Sequence, residues 1–167
     1  MQTRYTYAHS NLKKSPEVRL QKMWRSSRDS ARTPVQWDDS EHAGFTTGEP
    51  WFYVNENYPH INVAAQERDP DSILNFYRKA ITLRKALPVV RHGLYKLHFP
   101  HSSKQFVYSR ELPGEKLLVI CSFSDRETTL RFPNGFSPTD ATLLLTNYTT
   151  QSNLLQPYEC RVYHWNA

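Results

Sequence analysis

Glycine is scarce: 5 in 167 residues, and dispersed. A loop that cradles phosphate needs clustered glycines, so nucleotide binding of the P-loop or dinucleotide kind is excluded. Cysteine occurs twice, at Cys121 and Cys160, without metal-ligand spacing. Both lie in strand-like runs and are expected as buried free thiols, because a disulfide needs an oxidising compartment for which nothing argues. Long apolar runs are also missing. The longest, Leu117 to Ile120, falls far short of the roughly 20 residues of a membrane span. No N-terminal apolar stretch resembles a secretory signal, so the expected compartment is the cytoplasm, with no membrane partner. The length itself excludes a complete (β/α)8 barrel, which needs about 250 residues.

What the chain does have is aromatic side chains: 4 Trp, 10 Tyr and 8 Phe. Disordered chains are poor in such rings, so a folded core is expected. The formal charge is +5, from 21 basic and 16 acidic residues. The excess sits at the N-terminus, where the first forty residues hold eight basic side chains (Arg4 to Arg32) against four acidic ones. A basic arm can contact phosphates. It lacks the interleaved aromatics of single-strand binders and any helix-turn-helix or zinc pattern, so no nucleic-acid partner is expected.

Residues 1–14 show no hydrophobic period. Ser15-Pro16-Glu17 opens a short predicted helix to about Arg28, with Ser as N-cap and Pro at the first helical position. Residues 29–62 hold Pro, Gly, Thr and Asn without a sustained period, a long irregular region of the kind that tends to be functional. Asp69-Pro70-Asp71-Ser72 starts a second helix, from Ile73 to about Leu87, ended by Pro88. Its apolar stripe of Ile73, Phe76, Tyr77, Ala80, Leu83 and Leu87 requires a packing partner. After Gly93, short β-branched and aromatic runs predict strands at 94–99, 105–110, 116–123, 128–132, 141–147 and 160–165. The fold class is therefore mainly β. A C-terminal antiparallel Greek-key β-sandwich over residues 93–167 follows residues 1–92, which hold the long loop and one or two helices.

Seven histidines form no metal-binding pair at helical spacing, and no metal or cofactor is expected. No Gly-x-Ser-x-Gly elbow occurs. The acid pair Asp69/Asp71 is explained as helix cap and first-turn charge, and Asp38-Asp39 as a turn. The informative stretch is Arg28-Asp29-Ser30-Ala31-Arg32-Thr33-Pro34-Val35-Gln36-Trp37-Asp38. Two guanidiniums flank a carboxylate, and a Pro-fixed turn carries an amide and an indole. Such a set suits a neutral polyol ligand. It equally suits a loop held together by internal hydrogen bonds, the preferred reading from chemistry alone. Tyr95, Tyr108 and Tyr163 offer rings for a non-catalytic sugar-binding module, although their strand positions favour the core.

That stretch, with Ala43-Gly44-Phe45-Thr46, Gly48-Glu49-Pro50-Trp51, Val54-Asn55-Glu56-Asn57-Tyr58 and Ile61-Asn62-Val63, closely resembles the α-glucosidases of glycoside hydrolase family 13. The likeness lies in the branch of oligo-1,6-glucosidase, dextran glucosidase and trehalose-6-phosphate hydrolase. It runs from about Trp24 to Trp165 and includes Ser72–Lys79, Leu83-Arg84-Lys85 and Glu115–Ile120; residues 1–23 match less clearly. Val35 stands where family members often have Met. The resemblance implies that residues 1–92 are the end of a truncated (β/α)8 barrel, with the loop after its eighth strand and its eighth helix. Arg32 then corresponds to the arginine that holds the terminal glucose of an oligosaccharide substrate. Arg28 and Asp29 would brace the loop, and Trp37 would pack beneath it. The resemblance further implies a retaining glycosidase, which needs two carboxylates about 5–5.5 Å apart. Their motifs do not occur in this sequence, so no catalytic residue is assigned and the chain alone is expected to be inactive. The helix from Ile73 is expected to drive self-association.

Overall fold

Continuous apolar character makes Glu115–Ser122 the middle of a sheet. In the computed structural model, which describes residue 15, residues 17–18, residue 28, residues 31–149 and residues 152–166, this strand is β3. The five-stranded antiparallel sheet orders β1 (Leu94–His98), β2 (Gln105–Leu112), β3, β7 (Cys160–Asn166) and β5 (Thr142–Thr146). A second sheet pairs β4 (Thr128–Thr129) with β6 (Leu154–Leu155). Leu117 to Ile120 are all buried, as expected for a strand covered on both faces. The predicted 128–132 strand shrinks to two residues. Beyond it Leu130 and Phe132 are used for packing on the main sheet's core instead of continuing a ladder.

Three α-helices lie wholly within the described residues: α1 (Val63–Arg68), α2 (Ile73–Ala86) and α3 (Pro88–His92). Most of the helix predicted from Ser15 lies outside the described residues. Ser72 caps α2 by accepting from the Asn75 N–H at 3.2 Å, and its hydroxyl donates to the Gln66 carbonyl at 2.6 Å. Asp69 is not the cap. Its Oδ1 accepts from the Asp71 N–H at 2.9 Å and holds the turn between α1 and α2. Pro88 ends α2 as expected but also starts α3, where its missing N–H costs nothing at the first helical position.

The chain divides into two compact units, residues 1–65 and 66–167. In the second unit α3 packs directly on the main sheet. Leu87, Val89 and Val90 fill one face of the main sheet together with Leu117 and Val119. On the other face Val107, Leu118, Ile120 and Tyr163 enclose Leu155 of β6. Gly93 joins α3 to β1 so closely that a Cβ there would stand 2.6 Å from the Val89 carbonyl and 3.0 Å from the Glu111 nitrogen. Among the described residues no helix is long and apolar enough to cross a membrane.

On β1 and β2 a polar chain crosses the sheet. Ser109, fully buried, donates to Glu111 Oε1 at 3.1 Å and is left to accept from His98 Nε2 at 2.9 Å. Burial, with Lys96 nearby, holds the His98 imidazole below its ordinary value of 6.5, while Glu111 opposes the shift. A histidine depressed in the folded state binds fewer protons there than when unfolded, so stability rises with pH. The fold is therefore expected to lose stability as pH falls below 6.5. In urea titrations between pH 7.5 and 5, His98→Gln should show a shallower loss than the parent chain.

Candidate functional site

The loop of residues 31–62 is closed by its own hydrogen bonds rather than by regular structure. Gln36 carries the closure: its side-chain amide donates to Asn57 Oδ1 at 3.0 Å and also to the Ile61 carbonyl. The carbonyls of Gln36 and Trp37 accept from the N–H groups of Val63 and Ala64, both at 2.9 Å. Those are first-turn donors of α1 that would otherwise lack partners. Asn62, buried, completes the end: its Oδ1 accepts from the Ala65 N–H and its Nδ2 donates to the Tyr58 carbonyl, each at 2.8 Å.

A tight reversal follows Trp37. The N–H groups of Trp37 and Asp38 both donate to the Ala43 carbonyl, at 2.9 and 3.3 Å. His42, Ala43 and Gly44 have φ of 53°, 59° and 65°, three successive left-handed residues. Side chains other than glycine resist that region. At Gly44 space is lacking as well, since a Cβ would lie 2.6 Å from Asp38 Oδ1. The Asp38 carboxylate is held below its usual range by the Ser40 hydroxyl first and the Ser40 N–H second. It is thereby kept ionised and committed to the turn.

Arg32 is exposed near the start of this loop. Arg28 is also exposed, and its carbonyl accepts from the Ala31 N–H at 3.1 Å. Asp29 lies outside the described residues. Trp37 is 50% exposed. Among the described residues the bracing comes from Gln36, Asn57 and Asn62. An irregular segment must satisfy its backbone groups with side-chain amides, so the Asn and Gln content of the segment was the available signal. Further along, Trp51 is 72% exposed and tilts against Phe52, ring centroids 5.3 Å apart, while Phe52 meets Tyr53 at 4.7 Å. Exposed guanidinium and aromatic groups on a fastened loop suit a sugar, whose hydroxyls accept hydrogen bonds and whose C–H faces stack on rings. Among the described residues no group of three or more His, Cys, Asp or Glu side chains could hold a metal ion.

Known proteins share this sequence and fold. The alpha-amylase family's catalytic domain matches residues 2–93, ending where β1 begins. Over 153 residues the chain is 42% identical to the oligo-1,6-glucosidase of Halalkalibacterium halodurans, covering 88% of this chain and 27% of that protein. It is 42% identical over 143 residues to the trehalose-6-phosphate hydrolase of Bacillus subtilis, covering 82% and 26%. The crystal structure of trehalose-6-phosphate hydrolase from Bacillus licheniformis superposes with a TM-score of 0.86 at 36% identity, over 93% of this chain and 29% of that one. The chain thus spans between a quarter and a third of the length of these relatives. With its family match covering more than half of the sequence and a loop built as described, the chain belongs to the alpha-amylase family.

Proposed function

We propose that the chain is the C-terminal part of a retaining α-glucosidase that hydrolyses terminal α-glucosidic bonds of oligosaccharides, α-1,6 bonds foremost. In this reading residues 1–92 end a (β/α)8 barrel and residues 93–167 form a Greek-key sandwich beside it. Arg32 binds the terminal glucose, Gln36 and Asn62 hold its loop in shape, and the two reacting carboxylates come from elsewhere in the barrel. The observation that carries the reading is an exposed Arg32 on a loop fastened by Gln36, in a chain 42% identical to an oligo-1,6-glucosidase. A trehalose-6-phosphate hydrolase is the second reading, favoured by the likeness to the Bacillus enzymes.

Purified alone, the chain is expected to release no glucose from isomaltose, maltose or trehalose 6-phosphate; release would refute the reading. Grafted in place of the matching segment of the Halalkalibacterium halodurans protein, it is expected to support isomaltose hydrolysis. Arg32→Ala should then lower kcat/KM roughly 10- to 150-fold, the loss of charge-assisted hydrogen bonds to the sugar. A graft active on trehalose 6-phosphate but not on isomaltose would select the second reading. Isothermal titration of the chain alone with isomaltose and starch oligomers tests a sugar-binding module, for which the half-exposed Tyr95, 5.5 Å from Tyr108, is the available platform.

The same reading leaves α2 without a barrel to cover it. Ile73, Tyr77 and Ile81, spaced one turn apart, are 74%, 64% and 48% exposed. The isolated chain is expected to self-associate through this face, and Tyr77→Lys to weaken the association. Sedimentation velocity across a concentration series checks it: a single monomer at all concentrations would contradict the expectation.

A further inference from the structure

The two cysteines, both free, face each other at one end of the β3–β7 ladder in the main sheet. Cys121 of β3 and Cys160 of β7 are register partners, with sulfur atoms 3.4 Å apart. The next pair along settles their type. Ser122 N–H donates to the Glu159 carbonyl at 2.7 Å, so the cysteines occupy a non-hydrogen-bonded position. The Cys160 N–H confirms this by turning away to Asn147 Oδ1 at 2.7 Å. At such positions opposed Cα atoms stand about 4.5 Å apart and side chains are closest. That separation falls within the roughly 4.4–6.8 Å span of disulfides. Joining the sulfurs closes their 3.4 Å gap to a bond of about 2.05 Å.

The pair is also reachable. Both cysteines are only half-buried, and Cys160 lines a cavity of about 450 Å³ with Asp71, Ile73, Lys79, Thr146 and Tyr148. The geometry points to a modification site: a cross-strand dithiol that a small peroxide oxidises to an intrachain Cys121–Cys160 disulfide. The two thiols differ in readiness. The hydrogen-bond contact between the two sulfurs holds Cys121 below the usual thiol value, against the effect of burial. The same contact, burial and the facing Cys121 all push Cys160 up. The Cys121 thiolate therefore attacks one oxygen of hydrogen peroxide, breaking the O–O bond, forming a sulfenic acid and releasing hydroxide. The Cys160 sulfur then attacks the Cys121 sulfur. Its proton leaves with the departing hydroxyl as water, so two thiols and one peroxide yield one disulfide and two waters.

The test uses the full 167-residue chain under native conditions. Stoichiometric hydrogen peroxide followed by iodoacetamide and intact mass measurement should show loss of two hydrogens and no alkylation. A proteolytic digest should contain a peptide linking Cys121 to Cys160. Because the bond ties β3 to β7 across 39 positions of sequence, the melting midpoint should rise on the order of 10 °C and fall back with dithiothreitol. Cys160→Ser should stop at the sulfenic acid, trapped by dimedone, with its circular dichroism unchanged. Two thiols that still alkylate, two separately over-oxidised cysteines, or linkage only between chains would each overturn the proposal.

Discussion

Glu159→Ala is expected to destabilise the chain by about 3–5 kcal/mol, the cost of stripping a partner from a buried charge. Glu159 and Arg161 are almost wholly buried, at 0% and 2% exposure. Their contact is bidentate: Arg161 Nε donates to Glu159 Oε1 at 2.6 Å and Nη2 to Oε2 at 3.2 Å. The remaining guanidinium donors reach the Ser152 and Leu154 carbonyls, both at 2.9 Å, and the Tyr163 hydroxyl at 3.5 Å, and Glu159 Oε2 accepts from the Gln156 N–H at 2.7 Å. One ion pair thus pins the β6 segment to β7. Without the carboxylate, the guanidinium stays charged and buried against dipoles alone. Thermal and urea unfolding followed by circular dichroism will measure the loss, and a change under about 1 kcal/mol would show that water reaches the pair. Replacing both residues by apolar ones of similar size should cost much less, since no charge is then stranded.

Leu118→Ala should cost about 2–5 kcal/mol by lost burial and the cavity left behind. Leu118 has no exposed surface and sits among Val107, Ile120, Leu155 and Tyr163. Its strand is paired on both sides, by β2 and β7, so the backbone cannot shift inward to fill the gap. Leu118→Met keeps the volume and should lose less than about 1.5 kcal/mol. Equal urea midpoints for the two variants would mean that the site collapses freely, contrary to a strand held at both edges.

The sequence was legible wherever a local rule and the tertiary outcome coincide. α2 follows its 3.6-residue period from a Ser72 cap to a proline stop. The β2–β3 hairpin turns at Pro113-Gly114, where Gly114 takes a φ of 81° that suits glycine. Legibility fails where the deciding partner is remote. Pro88 marks a stop by its effect on Leu87, but its role as the start of α3 depends on Val89 finding a place against the sheet. β4 and β6 are two residues each, too short to show a period, and exist because they pair with one another. At the candidate site the segment around Arg32 was visible as a motif, whereas its fastening was not. Gln36 reaches Asn57 across 21 positions, a distance no window of local pattern spans.

By itself, the sequence determined the helix from Ile73, the antiparallel β character of the C-terminal half, the central place of the strand predicted at 116–123 and the segment that carries Arg32. Alternation and period record only which face of an element turns inward, and those are properties of near neighbours along the chain. The tertiary structure alone decided what meets those faces. It chose the strand order that sets β7 between β3 and β5, and it brought Cys121 opposite Cys160. It also buried Glu159 and Arg161, two charges that their types alone would leave in water. The physical reason is common to all three: register and order are fixed by side-chain contacts between residues distant in sequence, where covering an apolar face or pairing a charge outweighs any local preference.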